Sequence, residues 1–166
     1  MRFTTLLTPL AKRFVAGETA DEAVAAAKRV NALGINAIID FLGEDVNSEA
    51  GAIKASAEYI YVLGLLRGQN ARVSLSLKLS QMGLLISEDL CVENLAKILA
   101  VGAKQKVFVW IDMEGSALTQ RTIQVFDKLR SATPLIGLCL QAYLVRTGAD
   151  LDRLMRRPFS VRLCKG

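Results

Sequence analysis

Five residues have the chemistry and the spacing to build a site: Asp40, Lys78, Asp112, Gln141 and Arg162. Each lies near the C-terminal end of a short apolar run. Pointed to one mouth, they supply two cations, two anions and an amide, a set suited to a small zwitterion or a charged cofactor. Lys78 alone suggests a Schiff-base aldolase, whose amine must be desolvated to lose its proton. A neighbouring Asp112 would instead hold the ammonium charged, which counts against that chemistry. Asp112 and Glu114 suggest paired carboxylates, although Glu114 equally suits the start of the next helix. Arg162, read as inward-facing, demands an anionic or strongly accepting partner, because an unpaired buried charge is costly. The 166 residues contain no histidine, which removes Ser-His-Asp triads, Cys-His dyads and His-ligated metals. No metal site is expected. No Walker A or G-x-G-x-x-G sequence is present either.

The elements that must position these residues alternate regularly. Thr19-Ala-Asp-Glu22 reads as a capping box, opening a helix that runs to Leu33 and stops at Gly34. Apolar strands are predicted at 36–42, 73–79, 106–112, 135–141 and 160–164. Helices are predicted between them at 49–67, 88–101, 117–132 and 147–157, with Ser48, Ser87 and Thr147 as caps. One helix and then five strands with four intervening helices imply βαβ units and a parallel sheet. Within the strands the residues sort by parity. Ser74, Ser76 and Lys78 share one face, against Val73, Leu75, Leu77 and Leu79. Phe108, Trp110 and Asp112 oppose Val107, Val109 and Ile111, and Gly137, Cys139 and Gln141 oppose Ile136, Leu138 and Leu140. A doubly wound sheet needs both faces greasy. One greasy and one small or polar face fits a (β/α)8 TIM-barrel type, whose catalytic groups come from the C-terminal strand ends. The expected organisation is one partial barrel domain over 1–166, with a helical segment over 1–34 and successive βα units over 35–166.

Composition narrows the class further. The chain is 52% apolar and 22% charged, with 21 Lys+Arg against 16 Asp+Glu, which excludes disorder. Six basic residues between Arg146 and Gly166, against Asp150 and Asp152, carry four of the five net positive charges. Phe159 is the one aromatic residue among them, too few for a base-stacking platform, so nucleic acid is not an expected partner. Cys91, Cys139 and Cys164 are odd in number and widely spaced. They read as buried hydrophobes in a reducing, cytoplasmic compartment. The longest uncharged run, Ser131 to Val145, is 15 residues and contains Pro134 and Gly137. That is short of the roughly 18 that suggest a membrane span.

Six ordered motifs then point to one family. They are Arg13-Phe-Val-Ala-Gly-Glu-Thr19, Phe41-Leu-Gly-Glu44, Leu77-Lys-Leu-Ser80, Ile111-Asp-Met-Glu114, Leu140-Gln-Ala-Tyr-Leu-Val-Arg146 and Val161-Arg-Leu-Cys-Lys-Gly166. In this order and spacing the chain resembles the flavin-dependent proline dehydrogenases. The resemblance implies a barrel that binds FAD, oxidises L-proline to 1-pyrroline-5-carboxylate and passes electrons to a quinone, with peripheral membrane association as a variant. It implies that Lys78 helps to hold the proline carboxylate, with Asp112 beside Lys78 and the flavin. It also implies that Gln141 hydrogen-bonds the flavin ring, that Arg162 faces it, and that Lys165 and Gly166 begin a loop along it. Lys78, Asp112 and Arg162 would be the catalytic residues.

Two departures accompany the likeness. Met113 and Gly115 alter the turn after Asp112, and Lys165-Gly166 falls where the family continues into an aromatic-rich loop and the last barrel strands. The expectation is therefore a barrel cut before closure, with an open edge at the fifth strand. The alternative is a catalytically inactive open α/β module serving in assembly, through that edge, or in regulation.

Overall fold

The computed structural model describes residues 15–43 and 46–166. The motif beginning at Arg13 lies partly outside the described residues, as does Glu44. Helix α1 (Ala20–Ala32) is followed by β1 (Ala37–Asp40), α2 (Glu49–Leu66), β2 (Val73–Leu77) and α3 (Glu88–Gln105). Then come β3 (Val109–Ile111), α4 (Ser116–Leu129), β4 (Ile136–Gln141), α5 (Thr147–Leu154) and β5 (Ser160–Cys164). The five strands form one parallel sheet in the order β1-β2-β3-β4-β5. Sequential order with helical crossovers is the winding of a TIM-barrel-type fold, and the sheet is not closed: β1 and β5 are its two edges.

Local chemistry explains where most elements begin and end. Thr19, Ser48 and Ser87 each accept a hydrogen bond from a backbone N–H in the first helical turn, at 3.2–3.4 Å. The reciprocal arm of the capping box goes one residue early, with Glu22 Oε2 accepting from the Glu18 N–H at 2.7 Å. Gly34, at φ +83°, supplies the left-handed turn after α1. Two expectations are corrected. Strand β3 begins at Val109 and not at Lys106, because Lys106 is itself the left-handed cap of α3, at φ +60°. Thr147 does not cap α5; Arg146 stands at the N-cap, and the Thr147 hydroxyl donates back to the Gln141 carbonyl at 2.5 Å.

The parity seen in the strands becomes the two faces of the sheet. Leu75, Leu77, Val109, Ile111, Ile136, Leu138 and Leu140 are buried under helices α2, α3 and α4, against Leu63, Leu95, Ile98, Ile123 and Phe126. Each such side chain contributes about 1.5–3 kcal/mol relative to exposure. The opposite face carries Ser76, Trp110, Gly137 and Ser160 in one lateral row, with Cys139 beside Arg162 two residues further along. Trp110 tilts against Phe108 with ring centroids 4.7 Å apart. Gly137 makes room for both rings: a Cβ there would stand 2.5–2.9 Å from their edge carbons. Among the described residues, no helix is long and apolar enough to cross a membrane.

Gly137 therefore provides the first prediction. Gly137→Val should displace the Trp110 ring and cost about 1–3 kcal/mol, the usual range for overpacking. Urea unfolding monitored by Trp110, the single tryptophan of the chain, measures both the lost stability and the altered ring environment.

Candidate active site

The polar face converges on one carboxylate. Asp112 lies just past β3, its N–H continuing the ladder to the Leu77 carbonyl at 2.9 Å. Its Oδ1 accepts from the Ser76 hydroxyl at 2.8 Å and from Arg162 Nη2 in a short charged contact. Arg162 Nη2 also lies 3.3 Å from the Ser76 hydroxyl. The guanidinium starts on β5 and crosses all of β4 to reach β3 and β2. That path is open because β4 presents Gly137 and Cys139 on this face, and it leaves the guanidinium carbon 5.8 Å from the Trp110 ring centroid. The inward arginine thus has the anionic partner its position demands.

Lys78 follows β2 directly and meets the carboxylate of β1. Its Nζ lies 3.4 Å from Asp40 Oδ2 at the end of β1, while Oδ1 of Asp112 is engaged by Ser76 and Arg162. The parallel register of Asp40 with Ser76 explains this: it places the β1 carboxylate one step from the start of the Lys78 segment. Burial raises the Asp40 carboxyl above its ordinary range; the Lys78 charge opposes this and the Asp112 charge adds to it.

Gln141 ends β4 and donates from Nε2 to the Met113 carbonyl at 3.4 Å. Among the described residues, its Oε1 and the Nε of Arg162 are both buried without a hydrogen-bond partner. Both residues line a concavity of about 370 Å³, with Lys78, Asp112, Cys139 and Lys165 among others. Lys165 and Gly166 complete one wall: the Lys165 carbonyl accepts from the Tyr143 N–H at 3.1 Å, and Gly166 lies directly against the Tyr143 ring. Four of the five strand-end candidates, with the two terminal residues, thus surround one concavity, and Asp40 joins them through Lys78.

Some features are not legible in residue spacing. Glu114 is not the catalytic twin of Asp112. Its carboxylate accepts from the Ser80 N–H at 3.0 Å and from the Ser80 hydroxyl, pinning the loop after β2. Cys139 and Cys164 are not isolated: their sulfurs stand 3.1 Å apart on adjacent strands, both as free thiols lining the concavity. Cys91 does behave as a buried hydrophobe, its thiol pushed up by burial to about 12. Three of the six basic residues of the C-terminal segment are paired within the chain. Arg146 pairs with Asp150 at 2.6 Å, Arg153 with Asp127 at 3.3 Å, and Arg162 turns inward.

Comparison with known proteins agrees with this architecture. The proline dehydrogenase family matches residues 23–166. The chain belongs to the proline dehydrogenase family. It is 35% identical over 156 residues to proline dehydrogenase 1 of Bacillus subtilis strain 168, covering 94% of this chain and 52% of that protein. It is 30% identical over 162 residues to proline dehydrogenase of Deinococcus radiodurans, covering 95% and 52%. The chain therefore spans about half the length of the curated relatives it matches. Among solved structures it superposes on proline utilization A from Bdellovibrio bacteriovorus with a TM-score of 0.84 at 26% identity, over 96% of this chain and 20% of that one. The Bradyrhizobium japonicum protein of the same name shares the fold, with a TM-score of 0.70 at 22% identity.

The raised Asp40 carboxyl sets a pH dependence. A carboxyl that binds its proton more tightly when folded stabilises the fold most below its unfolded value, about 3.9. That stability is lost as pH rises through the higher folded value. In thermal unfolding from pH 3.5 to 7, the unsubstituted protein should therefore lose stability relative to Asp40→Asn as pH rises. A difference that is flat with pH, or of opposite slope, would contradict the assignment.

Proposed function

We propose that this chain supplies the flavin- and substrate-facing strands of a proline dehydrogenase that oxidises L-proline to 1-pyrroline-5-carboxylate with FAD. The observation that carries the reading is the pair of buried atoms unsatisfied among the described residues, Arg162 Nε and Gln141 Oε1, in two residues that line the same concavity. Buried polar atoms normally have partners. One donor and one acceptor are the functions that the ring edge of a flavin, rich in both acceptors and N–H, can satisfy. The residues present therefore fit the cofactor. Arg162, Gln141, Asp112 and the Lys165-Gly166 backbone would hold it. When bound, FAD supplies the two-electron acceptance that no side chain of this chain provides.

The remaining work falls to charge and position. The Lys78 ammonium, at the rim of the concavity, binds the carboxylate of proline as a point charge. Asp40 holds that ammonium in place at the rim. Asp112 and Ser76 fix the Arg162 guanidinium, so that its positive charge faces the cofactor side of the site without reorganisation.

A second reading, a non-catalytic assembly module, is favoured by the outer side of β5. Val161 is 42% and Leu163 61% exposed there, although they share the parity of the buried core residues of β4. Size-exclusion chromatography separates the two readings, since self-association without retained flavin supports the module alone.

The catalytic reading makes separable demands on two cations. In the flavin-loaded protein, Lys78→Met should raise the proline KM by about tenfold to a hundredfold, the worth of one charge-assisted hydrogen bond, and leave flavin affinity unchanged. Arg162→Met should weaken flavin binding by about tenfold or more on the same grounds. Flavin absorbance and proline-dependent dye reduction read the two effects. Equal loss of both properties in both variants would contradict the division of roles.

A further inference from the structure

Gln81 lies four residues beyond β2, in a turn whose apolar members Leu79, Met82 and Leu84 are fully buried. Its own side chain is 1% exposed. A primary amide carries two N–H donors and a carbonyl oxygen with two lone pairs, and burying one is costly unless these are satisfied. Here all four are engaged. Nε2 donates to the carbonyls of Phe41 and Gly43, each at 2.7 Å. Oε1 accepts from the Tyr59 hydroxyl at 3.1 Å and faces the Lys78 N–H at 3.5 Å. Tyr59 shares its proton with the Ser76 carbonyl at 3.1 Å and accepts from the Phe41 N–H at 3.4 Å.

The placement of these contacts is specific. Ladder pairing between β1 and β2 ends at Asp40 with Ser76. Beyond that point the backbone after β1 has left the sheet, yet the two segments still hold the Asp40–Lys78 ion pair between them. The buried amide takes over from the ladder there. It ties the carbonyls immediately after Asp40 to the turn that begins at Lys78. Gly43 permits the close approach, since a Cβ at that position would stand 3.3 Å from Gln81 Nε2.

We infer that Gln81 is a positioning residue for the substrate end of the site. It holds the Phe41–Gly43 backbone against the Lys78 turn, and so keeps Asp40 and Lys78 in contact at the rim. The tether stands on geometry alone, whereas its effect on substrate rests on the proline reading above.

The test compares Gln81→Met and Gln81→Glu with Asn94→Ala. Methionine keeps the volume without polar groups, and glutamate keeps the shape without donors. Asn94 is another buried amide, donating to the Met82 carbonyl of the same turn at 3.2 Å, so it controls for loosening of the turn without loss of the Phe41 and Gly43 contacts. Backbone order parameters of Leu42 and Gly43 should fall from about 0.85 to below about 0.6 in both Gln81 variants and stay high in Asn94→Ala. The proline KM should rise about tenfold, equivalent to one lost hydrogen bond, with kcat within about threefold. If Gln81→Glu fails to fold, Gln81→Met decides. Order parameters unchanged in Gln81→Met, or lowered equally in Asn94→Ala, would overturn the tether. If the unsubstituted protein does not oxidise proline, the proline reading fails, and the order parameters still decide the tether.

Discussion

The site depends on a single charge crossing the sheet. Arg162 extends inward from β5 and reaches its counter-ion two strands away, over a β4 whose inner positions are a glycine and a cysteine. A guanidinium in that position without an acceptor would be prohibitively costly, so Asp112 and Ser76 must stand where they do. Their positions in turn require the register of β2 with β3, and of β3 with β4. The greasy opposite face holds that register, because a slip of one residue would turn Leu75, Val109 and Leu138 away from the helices. Core packing and site geometry are therefore two consequences of one strand parity.

The same arrangement leaves the polar face incompletely satisfied in a particular way. The Nη2 end of Arg162 is held by two partners, while Nε has none among the described residues. Gln141 repeats the pattern, with its amide nitrogen bonded and its oxygen unpartnered. Each side chain is anchored at one end and, among the described residues, unpartnered at the other. That is how a scaffold preorganises groups for a ligand. The second ion pair, Lys78 with Asp40, sits at the rim where water reaches it, so its charge remains accessible to an incoming carboxylate.

How much of this was legible in the sequence differs by kind of feature. The alternation of helices and strands was legible because hydroxyl caps, Gly34 and the strand parity are local signals. Strand β5 and the caps at Ser48 and Ser87 lie where those signals place them. The early start expected for β3 misread Lys106, since a non-glycine residue in the left-handed region leaves no compositional mark. Thr147 misled for a related reason: a hydroxyl before a helix looks the same whether it caps forward or bonds back to a strand end. The candidate residues were identified individually, but not their pairing. Lys78 pairs with Asp40, Glu114 is held by Ser80, and Cys139 meets Cys164 of the adjacent strand. Gln81 carried no signal at all, because an amide in an apolar turn resembles any surface polar residue until its burial is known.

By itself, then, the sequence determined which residues face inward and which outward, because a strand alternates its side chains whatever lies beside it. It also determined the family, through six motifs kept in order. The tertiary structure alone decided which charge meets which, since ion pairing and buried amide contacts depend on register between segments about 40 or more residues apart. Local spacing carries no information about that register. It arises only when the helices pack on one face and bring the strand ends together on the other.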